Sequence, residues 1–417
     1  MRSIKLTDIE FWGYCLLMIS FFLPGNAMGF ALVFLVLLTI VKFIQKKHAF
    51  KGYSGLILYP VLFLLLLVGM IYTQNTKDGW GIIERHYALI GVPILAASIK
   101  QFSSKQKEAI MNVFIATGVI TALICLGVAT NHYLTTGTVY TATQKDHFVY
   151  NHFMHHRLSS PLQLHAIYYS LYLSFAALIL LNRILHSSAK MTTKFLYALI
   201  FVFFAVMLFL LKSSIFAFAF PLASLLLVFF RYRKTLLGSL KMKLVLSAIV
   251  VLAGIFSYIG IQSKLESFSL KYELSDDHLT PLTMRMAIWE CTWETIQEAP
   301  FIGKGTGDGD DELFATYEEL GFTIGANDRF NAHNMYLQYW LTNGITTALL
   351  FVLILFVLAR RAINHRNMVF FSFIFLFAAF SLTESTMLRQ NGIVFFLVIS
   401  SLFYWSPRIW DHSQSTA

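Results

Sequence analysis

Long continuous apolar runs alternate with short polar breaks along almost the whole chain. The runs fall at about 10–24, 27–44, 56–73, 86–99, 109–130, 166–182, 195–211, 214–230, 243–261, 336–358, 367–383 and 391–405. Most approach the roughly 17–23 residues that a helix needs to cross a hydrocarbon core about 30 Å thick. They are continuous rather than alternating with period two, which selects helices over a barrel. The pattern therefore predicts an all-α, polytopic membrane protein with about 12 transmembrane helices. Nine helices are expected in 1–261, a large extracytoplasmic loop in 262–333, and three more helices with a cytoplasmic tail in 334–417. Two runs are weak: 86–99 is short, and 10–24 carries polar residues. No Ala-x-Ala-like site precedes Pro24-Gly25-Asn26, so the first run reads as one arm of an uncleaved helical hairpin.

Composition agrees, since 57% of the residues are hydrophobic and only 13% charged. Such a chain cannot cover its own surface in water. The net charge of +10 adds a topology. The short loops 42–51, 100–107, 231–243 and 360–366 are basic, whereas acidic residues gather in the loops between them. By the Lys/Arg bias the basic loops and both termini are cytoplasmic. The excess charge is thus a membrane-orientation signal, and no nucleic-acid partner is implied. Cys15 and Cys125 lie in apolar runs and Cys291 stands alone outside, which leaves no external disulfide pair.

The longest polar interval is also the richest in candidate chemistry. Thr280-Pro281 is a helix start, followed to Glu298 by an apolar face of Met284, Ile288, Cys291 and Thr295, flanked by Trp289, Trp293 and Ile296. That helix is expected to lie along the membrane surface, held by its tryptophans. Arg285 falls in its first turn, where the helix dipole disfavours a cation, which hints at another task. Pro300 ends the helix, and the alternating glycines Gly303, Gly305 and Gly307 suggest close backbone approach to something, a phosphate among the options. The spacing is not that of a P-loop. The run Asp308-Gly309-Asp310-Asp311-Glu312 departs from EF-hand spacing and reads as a solvated loop rather than a cation site. Asn331 is a natural N-cap for the next membrane helix, placing His333 in its first turn. A neutral imidazole beside an anion-favouring helix terminus suits a general base, though interfacial histidines are often inert.

Other external loops hold further candidates. Arg85 sits at the mouth of the fourth run, beside a Glu84 that could neutralise it. His147, His152, His155, His156 and His165 surround Arg157. No carboxylate or Cys stands among them at ligand spacing, so interfacial histidines are favoured over a metal site. The guanidinium of Arg157 is placed to clamp a phosphate. Lys212, in the tight turn Leu211-Lys212-Ser213-Ser214, is either a snorkelling lysine or a second cation for an anionic headgroup.

The segment Asn331-Ala332-His333-Asn334-Met335-Tyr336-Leu337-Gln338 with Gly344, preceded by Arg285 and Pro300-Phe301-Ile302-Gly303-Lys304-Gly305, resembles the O-antigen ligase and polymerase superfamily of bacterial membrane glycosyltransferases. The resemblance covers most of the chain in topology. Its residue matches concentrate in 283–344, with weaker echoes at 157–173 and 211–216. It implies a GT-C-like fold in the bacterial inner membrane, with the active site facing the periplasm. It implies no metal and no other cofactor. The implied donor is an undecaprenyl-diphosphate-linked glycan, and the acceptor is lipid A core for a ligase or another glycan for a polymerase. By resemblance His333 activates the acceptor hydroxyl and Arg285 neutralises the departing diphosphate. Lys212, Arg157 and Arg85 are further diphosphate contacts, and Asn334, Gly303 and Gly305 support the site. Family members carry Ser-Arg where this chain has Lys212-Ser213, and lysine lacks the bidentate fork. The alternative from another class is a transporter or flippase for lipid-linked saccharide, but transporters place ionisable groups near the midplane rather than at helix ends.

Overall fold

The computed structural model describes residues 6–45, 56–99, 102–142, 149–186, 189–212, 218–238, 272–275 and 279–404. The expected run 243–261 lies outside them, as do His147 and Ser213. The N-terminal helices are α1 (Leu6–Ser20), α2 (Ala27–Ile44), α3 (Leu58–Gly69), α4 (Thr76–His86), α5 (Ala88–Ile99) and α6 (Ser104–Thr136). A two-stranded antiparallel hairpin follows, β1 (Tyr140–Ala142) with β2 (Val149–Asn151), then the short α7 (His155–Ser159). The next three helices are α8 (Ala166–His186), α9 (Met191–Leu210) and α10 (Ala219–Gly238). In the large loop lie α11 (Pro281–Glu298), α12 (Gly309–Glu319) and α13 (Thr323–Asp328), and the chain closes with α14 (Met335–Asn364), α15 (Met368–Ser381) and α16 (Gln390–Tyr404).

Among the described residues, α2, α6, α8, α9 and α14 are long and apolar enough to cross a membrane. Helices α3, α10, α15 and α16 carry shorter apolar stretches. Helix α8 is the axis of the bundle: Tyr169, Leu171, Tyr172, Leu173 and Phe175 are fully buried, and α6, α9, α10 and α15 pack around it. On the perimeter the order inverts, with Phe30, Ile44, Phe195 and Leu349 exposed, as expected where lipid is the solvent.

Contacts between loops put the polar groups at two ends. At one end Thr306 Oγ1 donates to Leu66 O (2.7 Å), and Gln74 N and Asn75 N donate to the Asp308 carboxylate (2.7 and 2.6 Å). Arg285 reaches the loop between α15 and α16 at this same end. At the other end Arg361 donates to Tyr404 O, and Lys42 pairs with buried Glu10. The loops rich in candidate residues therefore share one face.

The large loop has its own small core, in which Ala287, Ile288, Cys291 and Ile296 of α11 meet Leu313 and Tyr317 of α12, Phe322, and Leu341 of α14. The expected surface helix thus spends its apolar face on this core rather than on lipid. Leu282 and Trp293 stay exposed, Trp293 edge-on to Trp340.

Helix α14 is broken at Gly344, where φ is 77° and ψ is 175°. The backbone from Pro300 to Gly305 fills the break: Lys304 N donates to Leu341 O (2.8 Å), Gly305 N to Thr342 O (2.9 Å) and Ile345 N to Pro300 O (3.1 Å). This satisfies the groups that a kink would otherwise leave bare. It also identifies what Gly303 closely approaches, because a Cβ there would stand 2.5 Å from Gly344 N. Replacing Gly344 by alanine forces a Cβ to within 2.0 Å of Phe301 O at a left-handed φ. The expected cost is about 2–4 kcal/mol, read as a lowered unfolding temperature of the detergent-solubilised protein.

Candidate functional site

His333 lies just before α14 with φ at 42°, a conformation that no helical turn contains. The expected cap at Asn331 is therefore wrong by three residues. Asn334 is the N-cap, its Oδ1 accepting from Tyr336 N (3.0 Å) and Leu337 N (3.2 Å). Asn331 instead turns its Oδ1 back to accept from His333 N (3.0 Å) and from Ser385 Oγ (2.9 Å). Ala332 N donates to Gln338 Oε1 (3.0 Å), so the short segment ahead of α14 is pinned on both sides of His333. Because Asn334 occupies the helix terminus, the terminus is not a bare anion site aimed at His333.

A carboxylate stands there instead. His333 Nδ1 is 3.4 Å from Glu384 Oε2, in the short loop between α15 and α16. The Glu384 side chain is 10% exposed and that of His333 27%. Burial alone would push the Glu384 carboxyl up. The hydrogen bond from His333, with the electrostatic influence of His333, His165 and Arg285, outweighs this and holds it below the ordinary carboxylate range. An ionised Glu384 accepts the Nδ1 proton, which fixes the tautomer and leaves Nε2 with its lone pair. Among the described residues Nε2 has no hydrogen-bond partner, while Phe330 packs edge-on to the ring.

Arg285 enters from α11. Its Nη1 donates to Pro281 O (3.1 Å) and its Nε to Thr383 O (3.4 Å), beside Glu384. Burial lowers its pKa and Glu384 opposes the shift, but a guanidinium this basic stays charged at any working pH. Two expected residues, 48 apart in sequence, thus meet at a carboxylate that sequence reasoning passed over. One signal could have found it: Glu384 is the only acidic residue between Asp328 and Asp411.

The other candidates are spread around this centre. Arg85 is exposed and its charge acts on Asp310, whose carboxyl burial pushes up and whose Oδ1 accepts from Gln338 Nε2 (2.8 Å). Among the described residues no side-chain hydrogen bond joins Arg85 to His333, Glu384 or Arg285. Lys212 is exposed at the end of α9, on the face that holds His165 because α8 and α9 run antiparallel. Among the described residues no side-chain hydrogen bond joins it to His333, Glu384 or Arg285. Arg157 sits on α7 next to His156, and its charge is felt at His152. His156 and His165 stack edge-on at 4.1 Å, and burial first, then neighbouring positive charge, pushes both down to about 4. They are neutral near pH 7.

The acidic run is not a solvated loop. Asp308 caps the 74–75 backbone, Asp311 accepts from Asn75 Nδ2 (2.6 Å) and pairs with Arg329 (3.2 Å), and Glu312 pairs with Lys304 (2.9 Å). No group of three or more His, Cys, Asp or Glu is arranged to hold a metal ion among the described residues.

Residues 198–352 match the family model described as O-antigen ligase. The matched segment contains Lys212, Arg285, Gly303, Gly305 and His333, and stops before Glu384. Comparison with curated proteins finds no match.

Proposed function

We propose that this chain, whose residues 198–352 match the O-antigen ligase family model, transfers a glycan from undecaprenyl diphosphate to an acceptor hydroxyl at the outer face of the bacterial inner membrane. The observation that carries this reading is the hydrogen-bonded pair of His333 and Glu384 beside Arg285. His333 Nε2 takes the proton of the acceptor hydroxyl as its oxygen attacks the anomeric carbon. The bond from that carbon to the diphosphate oxygen breaks in the same step, so the anomeric configuration inverts. Glu384 stabilises the imidazolium that forms, and Arg285 offsets charge growing on the diphosphate. Lys212, Arg157 and Arg85 extend the positive rim toward the headgroup. In this mechanism all of the charge stabilisation comes from side chains.

The transporter reading has one observation in its favour, since α14 is a broken helix. Its break, however, is filled by the Pro300–Gly305 backbone rather than by a substrate cavity.

Purified protein given extracted lipid-linked glycan, with lipid A core and a second lipid-linked glycan offered in turn, is expected to form product with one acceptor. Product on the first identifies a ligase and on the second a polymerase. Product on neither contradicts the enzymatic reading.

A further inference from the structure

Two buried polar atoms close to Glu384 have no role in the proposed step. Tyr168 is 2% exposed, yet its hydroxyl has no hydrogen-bond partner among the described residues, and the same holds for His165 Nδ1. The two rings lie edge-on at 6.3 Å, on the first turn of α8 and the residue before it. Leaving such groups unpaired is costly, and native proteins rarely do so without water or a ligand to complete them.

Their surroundings indicate what completes them. The first turn of α16 packs on this part of α8: a Cβ at Gly392 would touch the Tyr168 ring at 3.0 Å, and Tyr172 Oη donates to Asn391 O (2.9 Å). Gly392 N and Ile393 N at the start of α16 donate to Arg389 O (3.0 and 3.1 Å), so the terminus offers an anion the Gln390 and Asn391 N–H groups and the positive end of its dipole. Arg389 directly precedes this helix, exposed and without a hydrogen bond or ion pair from its side chain among the described residues. Its charge acts on His156, His165 and Tyr168 alike. A cation, a helix terminus and two unpaired buried groups therefore converge on one niche, while the nearby carboxylate of Glu384 is committed to His333.

We propose that the N-terminus of α16, with Tyr168, His165 and Arg389, forms an oxyanion-binding niche for a phosphate-type group of a substrate. This rests on the glycan-transfer reading above. The niche is distinct from Arg285, which approaches Glu384 from α11. Two sources carry the required chemistry, the diphosphate of the donor and a phosphate on the acceptor.

The test compares wild type with Tyr168→Phe, which removes one oxygen, and Arg389→Gln, each as purified full-length protein. Steady-state transfer is measured with donor varied at saturating acceptor, then the reverse. Both variants should raise the same KM by about tenfold or more, the usual scale for a lost hydrogen bond to a charged group. A raised donor KM assigns the diphosphate, and a raised acceptor KM assigns the acceptor phosphate. Thermal stabilisation by inorganic diphosphate reads the niche without turnover, and should be smaller in Tyr168→Phe than in wild type. If wild type transfers no glycan, the functional reading fails and the diphosphate measurement alone decides the niche. Equal diphosphate stabilisation in wild type and Tyr168→Phe, or KM values unchanged for both substrates in both variants, overturns it.

Discussion

His333→Ala is expected to lose glycan transfer by at least about a thousandfold in kcat, within the range by which positioned general bases accelerate proton transfer. Three features concentrate the effect on this residue. Its Nδ1 is committed to Glu384, its Nε2 is unpaired among the described residues, and its backbone is held at φ 42° by Asn331 and by the pinned Ala332. The imidazole makes little of the packing, being 27% exposed with Phe330 as its ring neighbour. The variant should therefore still insert and fold, with thermal stability lowered only by the loss of the partner to the Glu384 carboxylate. His333→Asn separates chemistry from backbone, because asparagine tolerates a left-handed φ better than alanine does. Both variants should be equally inactive. Activity restored in His333→Asn alone would assign the loss to backbone geometry.

The second large effect is expected at Glu384. Glu384→Gln keeps the side chain's size and one acceptor oxygen but removes the charge that stabilises the imidazolium. We expect kcat to fall about a hundredfold with substrate KM values little changed, as for a residue that orients and supports a base without touching substrate. Glu384→Asp, which retains the charge one methylene further back, should recover part of the rate. The carboxylate is held below its ordinary pKa, so its support persists above that depressed value and fades only as pH falls through it. The same sign applies to stability: the hydrogen-bonded Glu384 carboxylate favours the folded state above the unfolded carboxyl pKa and ceases to do so as pH falls through its depressed value. A kcat equal to wild type in Glu384→Gln would remove the carboxylate from the mechanism.

Much of this site is legible in the sequence because membrane proteins make polar residues conspicuous. Arg285 and His333 stand out in the longest polar interval, and Thr280-Pro281 marks the start of α11 through a capping box that the structure contains. What the sequence hides is what depends on tertiary pairing. Glu384 is 51 residues from His333 and occupies a loop whose neighbours look like ordinary helix ends. The Asn331 and Asn334 side chains are equivalent by type. Only the left-handed φ of His333 between them decides which one caps α14, and no local pattern encodes it. The glycines at 303 and 305 did announce a close approach, but its partners, the break in α14 for Gly303 and Thr73 with Asp308 for Gly305, are not named by the spacing. The acidic run misleads for a similar reason, since its carboxylates are used by Gln74, Asn75, Arg329, Lys304 and Gln338, all outside the run.

The most direct test is single-turnover transfer of radiolabelled lipid-linked glycan by purified wild-type and His333→Ala protein, each confirmed folded. The account predicts product from wild type with inverted anomeric linkage and none from the variant over the same interval. Equal product from the two proteins, or retention of configuration, would contradict it.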